Sequence, residues 1–412
     1  MKTTPKSLRL QIALFGRTNV GKSSFLNMVA GQDVSIISHH PGTTTDVVEK
    51  SMELLPIGPV VFLDTAGMDD LSDLGQLRIE KTKKIFNRAD VAVLILEPEV
   101  WTEYEQKVAD LAKEKKIPLI IVVNKIDTRE SPVSFKEKAA VNVSAFMFCS
   151  SIDKEKKDSY INRFKEIILS VCPERLVQTP PLLGDLMPEG GQAVFIVPID
   201  KEAPKGRLIL PQVQAIRDVL DNNSAVTVVK EDEYLSVLSR FKTLPDLVVC
   251  DSQVVDKMVA ETPEEVKCTT FSILFSRYKG DLTAMVKGAK AIDLLQDKDK
   301  VLISEACSHH PIEDDIGRVK IPRWLRDYTK KELIIESCAG RDYPDNLCQY
   351  KLIIHCGGCM ITRKEMINRI EQAQAAGIPV TNYGVAISFL QGVLERVLTP
   401  FPDASQVLQY KP

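Results

Sequence analysis

The sequence predicts an α/β chain built as three blocks in series, on three observations. From residue 8 to about 172, short apolar runs of strand length alternate with longer charged segments of helical spacing. That is the pattern of parallel strands joined by crossover helices. The same alternation resumes near residue 193 and again near 263. Between the first two blocks, Gln178–Gln192 holds Pro180, Pro181, Gly184, Pro188, Gly190 and Gly191, a density of breakers that reads as a linker. The expected division is 1–175, a linker over 176–192, a small middle block over 193–262 and a third block over 263–412.

In the first block Leu8–Phe15, Val60–Leu63, Val91–Leu96 and Leu119–Val123 read as strands, and Leu77–Arg88 and Glu103–Lys115 as helices. The middle block offers strands at Val194–Pro198, Ala225–Val229 and Leu247–Cys250, with helices over Gln212–Leu220 and Asp232–Arg240. The turn-like segment Glu261–Glu265 is expected to close it. The third block opens with Thr269–Phe275 and continues through Leu282–Leu295, Lys300–Ser304, Glu332–Ile335 and Lys351–Ile354 to closing helices over Arg363–Ala375 and Gly384–Val397.

Composition narrows the function. With 53 Lys plus Arg against 56 Asp plus Glu the net charge is −3, which argues against a protein that coats nucleic acid. No run approaches the roughly 18 apolar residues of a membrane span, and polar residues interrupt the apolar N-terminal run, unlike a targeting signal. A cytoplasmic protein with no membrane or nucleic-acid partner is expected. The nine cysteines are an odd count, and five of them (Cys307, Cys338, Cys348, Cys356, Cys359) fall between residues 307 and 359, with His309, His310 and His355. Such crowding suggests local metal or redox chemistry rather than a disulfide framework.

Gly16–Ser23 reads G-R-T-N-V-G-K-S between a strand and a helix, the pattern and context of a phosphate-binding loop. Backbone N–H groups and the helix N-terminus would face the phosphates. Expected contacts come from Gly16, Asn19, Val20, Gly21, Lys22, Ser23 and Ser24, with Lys22 on the β/γ-phosphates and Ser23 on magnesium. Asp64-Thr-Ala-Gly67 ends another strand, placing Asp64 near the metal and the Gly67 N–H near the γ-phosphate. Asn124-Lys125-Ile126-Asp127 follows a third, where the Asp127 carboxylate can accept from guanine N1 and N2. Ser144-Ala145 is expected to offer backbone N–H to guanine O6.

This ordering resembles the P-loop GTPase superfamily, and Pro41–Asp46 (P-G-T-T-T-D) is similar to the switch of its TrmE- and Era-like members. The resemblance implies GTP and Mg2+ as ligands, Ser23, Thr44 and Asp64 around magnesium, and Lys22, Thr44 and Gly67 as catalytic groups. It also implies a potassium ion held by Asn19, which would neutralise transition-state charge. Met68 stands where Ras-like enzymes carry the glutamine that orients water, so hydrolysis is expected to be slow or differently organised.

Cys307-Ser-His309-His310 and His355-Cys356-Gly-Gly-Cys359 each follow a strand of the third block, and sites in open parallel sheets form beyond the carboxyl ends of strands. Cys-Gly-Gly-Cys puts two thiolates on one tight turn, and Cys307 supplies a third. A 4Fe–4S cluster on Cys307, Cys356 and Cys359 would leave one iron open. Glu305, His309 and His355 are equal candidates for it. A Cys3His zinc site and a Cys356–Cys359 redox dithiol are the alternatives.

With GTPase motifs at one end and C-x-H…H-C-x-x-C at the other, the chain resembles the FeFe-hydrogenase maturation GTPases (HydF). The resemblance implies a homodimer through the middle block and an iron–sulfur scaffold. It would receive a two-iron subcluster precursor from radical-SAM maturases and pass it to apo FeFe-hydrogenase. The competing class is a ribosome- or tRNA-associated GTPase with a zinc-stabilised C-terminal domain.

Overall fold

A computed structural model describes residues 6–30, 48–64, 82–129, 143–172, 181–199, 205–306, 315–340, 343–344 and 346–409. The chain divides into two compact units, Met1–Thr179 and Pro180–Pro412. Among the described residues no helix is long and apolar enough to cross a membrane.

The first unit is a six-stranded sheet of order β2-β3-β1-β4-β5-β6, built from β1 (Leu10–Phe15), β2 (Val48–Leu54), β3 (Gly58–Asp64), β4 (Val91–Leu96), β5 (Leu119–Val123) and β6 (Ala145–Phe148). Only β2 runs antiparallel, hairpinned to β3. Side chains alternate across a strand, so β1 feeds two cores. Ile12 and Leu14 pack with Phe25 and Phe164 on one face, Ala13 and Phe15 with Phe86, Val108 and Ala109 on the other. Burial on both faces explains why these strands read as continuous apolar runs. The covering helices include α1 (Lys22–Ala30), α2 (Glu103–Glu114) and α3 (Lys157–Val171).

The second unit holds two four-stranded parallel sheets joined by a common apolar core. One has the order β10-β9-β7-β8, from β7 (Gln192–Ile196), β8 (Ala225–Val229), β9 (Leu247–Cys250) and β10 (Lys267–Thr270). The other has the order β12-β11-β13-β14, from β11 (Lys300–Glu305), β12 (Ile334–Ala339), β13 (Leu352–His355) and β14 (Val380–Asn382). Its helices include α4 (Leu210–Asp221), α5 (Phe271–Lys279), α6 (Leu282–Ala289), α7 (Arg363–Ala375) and α8 (Tyr383–Leu390).

Two expectations about boundaries are corrected here. Part of the stretch read as a linker is packed: Leu182, Leu183 and Met187 are buried in the core. The Asp218 carboxylate of α4 accepts from the backbone N–H groups of Leu182, Leu183 and Gly184 at 2.8–3.0 Å. Pro188, Gly190 and Gly191 shape the turn that enters β7, the Gly191 N–H donating to the Pro188 carbonyl at 3.0 Å with Gly190 at φ 74°. Nor does Glu261–Glu265 end the middle sheet, because β10 lies beyond it and pairs with β9 from Lys267↔Leu247 to Thr270↔Cys250. The breaker sits inside a strand–helix–strand crossover, where a tight turn is equally needed.

Thr270 ends β10 and caps α5, its Oγ accepting from the Ile273 N–H at 3.1 Å. Phe271, Ile273, Leu274, Phe275, Ser276 and Lys279 of α5 are all buried. A helix apolar around most of its circumference belongs in an interior, and α5 packs against α4, α6, α7 and α8.

Candidate functional site

In the first unit the carboxyl ends of β1, β3, β4, β5 and β6 share one edge of the sheet. The phosphate loop leaves β1 there, with φ of 147° at Gly16, 65° at Asn19 and 94° at Gly21. A Cβ at Gly16 would lie 2.4 Å from the carbonyl oxygen of Ile95, so the loop closes this tightly only with glycine. Lys22 is buried and its ammonium donates to the carbonyls of Gly16 and Arg17, the latter at 2.9 Å. Val20 is buried, whereas Asn19, Ser23 and Ser24 are exposed. Asp64 is buried opposite Leu14 at the end of β3.

Asn124 ties three loops together. Its Nδ2 donates to the Val20 carbonyl at 3.0 Å, and its Oδ1 accepts from the Ser151 N–H at 3.0 Å and the Ser151 hydroxyl at 2.9 Å. Lys125 has φ 60° and pairs with Glu97 at 2.5 Å, and Asp127 is exposed beside it. Thr44 and Gly67 lie outside the described residues.

Ser144 and Ala145 are not brought to this edge. Ala145 opens β6 opposite Ile120, and the Ser144 N–H is spent on the Leu119 carbonyl at 2.8 Å. A parallel strand presents its end, not its beginning, to the site, so the loop beside Asn124 is Cys149–Ser151. Sequence reasoning also missed the contact between the phosphate loop and α2. The Gly16 N–H donates to the Tyr104 hydroxyl at 3.2 Å, and Arg17 pairs at 3.1 Å with the fully buried Glu105. Glu105 also caps α2 through Thr102, so it performs two tasks.

In the second unit β11 and β13 are adjacent, Ser304 opposite His355. Their ends therefore emerge together: the Cys356 N–H donates to the Ser304 carbonyl at 2.9 Å, and the Ala306 N–H to the Cys356 sulfur at 3.1 Å. Cys307 and His309 lie outside the described residues, but Ala306, the residue preceding Cys307, touches Cys356. Cys356 and Cys359 are half-buried. Among the described residues no group of three or more Cys, His, Asp or Glu able to hold a metal is assembled.

His355 is corrected as a ligand candidate. It is fully buried, Nε2 lies 2.8 Å from Arg369 Nη1, and Nδ1 lies 3.0 Å from the Cys356 carbonyl. A guanidinium only donates, so Nε2 accepts and the proton resides on Nδ1, donated to Cys356. Both ring nitrogens are engaged by these partners. Burial, with the Arg369 charge adding, pushes the imidazole pKa down to about 3. Glu305 is also buried and engaged: Arg318 donates to Oε2 at 3.2 Å and the Tyr383 hydroxyl to Oε1 at 3.3 Å. Burial, with Cys356 and Glu305 facing the ring, holds the Tyr383 hydroxyl well above its ordinary pKa.

Lys279 gave no sequence signal. At the end of α5 it is buried, and its ammonium donates to the carbonyls of Gly358 at 3.1 Å, Cys359 at 3.0 Å and Ile361 at 2.7 Å. Burial pulls its pKa down to about 8 against the opposing pull of Cys359. Arg363, opening α7, donates back to the carbonyls of Tyr278 at 2.5 Å, Arg277 at 3.2 Å and Gly280 at 3.3 Å. Of the other described thiols, Cys149, Cys172, Cys250 and Cys268 are buried packing residues, Cys338 is half-buried and Cys348 is exposed.

Comparison with known proteins adds three family matches: a 50S ribosome-binding GTPase model over residues 11–125, a hydrogen maturase F dimerization domain over 182–280 and a hydrogen maturase F tetramerization domain over 283–400. Among curated relatives, the tRNA modification GTPase MnmE of Nostoc sp. strain PCC 7120 is 35% identical over 161 residues, covering 39% of this chain and 34% of that protein. MnmE of Synechocystis sp. strain PCC 6803 is 40% identical over 199 residues, covering 43% of each. The chain thus spans about a third to two-fifths of the length of these relatives. Among solved structures, the G domain of the T. maritima FeoB iron transporter is 19% identical with a TM-score of 0.32, covering 40% of this chain and 99% of that one. An Era variant from Aquifex aeolicus bound to GDP·AlF4− is 20% identical with a TM-score of 0.32, covering 53% and 92%. The two maturase models are those of self-association domains and together match more than half of the chain. With a GTPase domain ahead of both, the chain belongs to the hydrogen maturase F family.

Proposed function

We propose that this protein is a GTP-hydrolysing iron–sulfur scaffold that carries the two-iron subcluster to apo FeFe-hydrogenase. The observation that carries the reading is the meeting of two strand ends at one sulfur: Ala306, directly before Cys307, donates its N–H to Cys356. The donor set suits a 4Fe–4S cluster, since soft thiols select iron–sulfur groups, an N–H already points at one of them, and a buried ammonium lies under their turn. Cys307, Cys356 and Cys359 would hold the cluster. With His355 committed to Arg369, Glu305 and His309 remain for the fourth iron, and Glu305 would reach it by loosening its bonds to Arg318 and Tyr383.

On this reading GTP acts through the first unit as a switch on docking of radical-SAM maturases and of the hydrogenase, in a cytoplasmic protein. Ser23, Thr44 and Asp64 would hold magnesium and Asn19 potassium, with Lys22 on the phosphates and Asp127 on the base. Ser150 and Ser151 replace Ser144 and Ala145 beside the guanine. Segment 182–280 would dimerise and segment 283–400 add a tetramer contact, as the matched domains are described.

The experiment is anaerobic reconstitution with iron and sulfide. About four irons per chain and a paramagnetic reduced cluster are expected of a 4Fe–4S protein. Wild-type protein without iron, or Cys356→Ser with undiminished iron, would refute the cluster assignment. Hydrolysis measured in potassium and in sodium, with Asn19→Ala, tests the cation site separately.

A further inference from the structure

Lys279 reaches the Cys356–Cys359 turn from a different element, and the inference drawn from it rests on the reading that this turn binds a cluster. An ammonium has three protons, and each has a carbonyl here: Gly358, Cys359 and Ile361. Those acceptors bracket the second cysteine. The bonds are shielded from water, since Lys279 is 1% exposed. Among the described residues it makes no ion pair; the three carbonyls, the Phe275 ring 5.8 Å away and the charge of Glu365 offset its burial, and buried cations are otherwise costly.

We propose that Lys279 is a positioning residue that holds the Cys356–Cys359 turn in its metal-receiving shape and offsets the negative charge of a bound cluster. The turn has little slack to hold that shape by itself. Gly358 sits at φ +63°, and a Cβ there would lie 2.4 Å from the Met366 methyl. Arg363 bonds in the reverse direction, from the base of α7 to the last carbonyls of α5. The turn is therefore fastened to α5 on both sides, by Lys279 from below and by Arg363 from the following helix.

The test needs one readout that does not depend on metal and one that does. Amide hydrogen exchange is followed by mass spectrometry on the metal-free full chain, in wild type, Lys279→Met, Lys279→Arg and Arg363→Gln. Lys279→Met keeps the packed stem and loses the three bonds. Exchange in the peptide spanning 356–362 is expected to rise about tenfold or more, with peptides from β7 and β11 unchanged. Arg363 is exposed, so Arg363→Gln keeps the fold and is expected to speed the same peptide. Unchanged exchange in Lys279→Met overturns the positioning role, whatever Arg363→Gln does. In reconstituted protein Lys279→Met is expected to lose iron to a chelator about tenfold faster and to show a more negative cluster potential. Lys279→Arg keeps the charge but not the three-way geometry, so the potential is restored while the exchange stays fast. A potential unchanged in Lys279→Met overturns the charge role. Failure of wild-type protein to take up iron defeats the cluster reading, and with it the metal-receiving role, while the exchange result still decides whether Lys279 holds the turn.

Discussion

Arg369 donates a 2.8 Å hydrogen bond to Nε2 of His355, and that bond decides what His355 can do. The imidazole is neutral with its proton on Nδ1 and serves as a strut between α7 and the first residue of the cysteine turn. His355→Ala is therefore expected to leave the spectroscopic signature of a reconstituted cluster unchanged while lowering stability. Arg369→Met leaves Nε2 buried without a donor and should cost about 1–3 kcal/mol in urea unfolding. A changed paramagnetic spectrum in His355→Ala would show that the imidazole binds iron after all.

Asn124 joins the phosphate loop to the loop after β6, so its loss should be felt at both. Asn124→Ala strands the Val20 carbonyl and the Ser151 N–H, and the first unit is expected to lose about 2 kcal/mol or more. Affinity for a fluorescent GTP analogue should fall at least about tenfold, because about 1.4 kcal/mol of misplacement is already that factor. Equal affinity and equal melting temperature would contradict the stapling role.

Gly16→Ala brings a methyl to 2.4 Å from the Ile95 carbonyl, at a φ that other residues rarely adopt. β1 and β4 would have to separate where the phosphate loop begins. Nucleotide binding is expected to be lost, and the melting temperature lowered even without nucleotide, unlike Lys22→Ala, which should mainly abolish binding.

Burial pushes the thiols of Cys149 and Cys172 up to about 12 and that of Cys268 to about 11. Only the thiolate is alkylated, so these three stay protonated and unreactive from pH 7 to 9. Exposed Cys348 should be labelled first by iodoacetamide, identified by peptide mapping. Rapid labelling of Cys268 in folded protein would contradict the buried core of the second unit.

The phosphate loop was legible because its chemistry is local: Gly16, Gly21 and Lys22 act through a few consecutive peptide groups. The cysteine turn was legible for the same reason, and its meeting with Ala306 followed from strand ends in a parallel sheet. Ser144 was misplaced because Ala145–Phe148 was not counted as a strand, and one missing strand moves a loop to the opposite edge of a sheet. Glu261–Glu265 misled because a turn inside a crossover and a turn between sheets use the same residues. Lys279 was invisible because a lysine closing an apolar helix ordinarily points its charge at water. Only the tertiary packing of α5 reveals that this one does not.

The matched segments end at 280 and resume at 283, and Lys279 stands just before that seam while every carbonyl it holds lies beyond it. The last helix of the dimerization segment is thus the floor of the cysteine turn. A fragment beginning at 283 would keep all the cysteines of the turn and lose the charge beneath them. The turn in one segment thus depends on a side chain from the other. A recombination event that exchanged the C-terminal segment alone would have to bring its own lysine, or leave the turn without a floor.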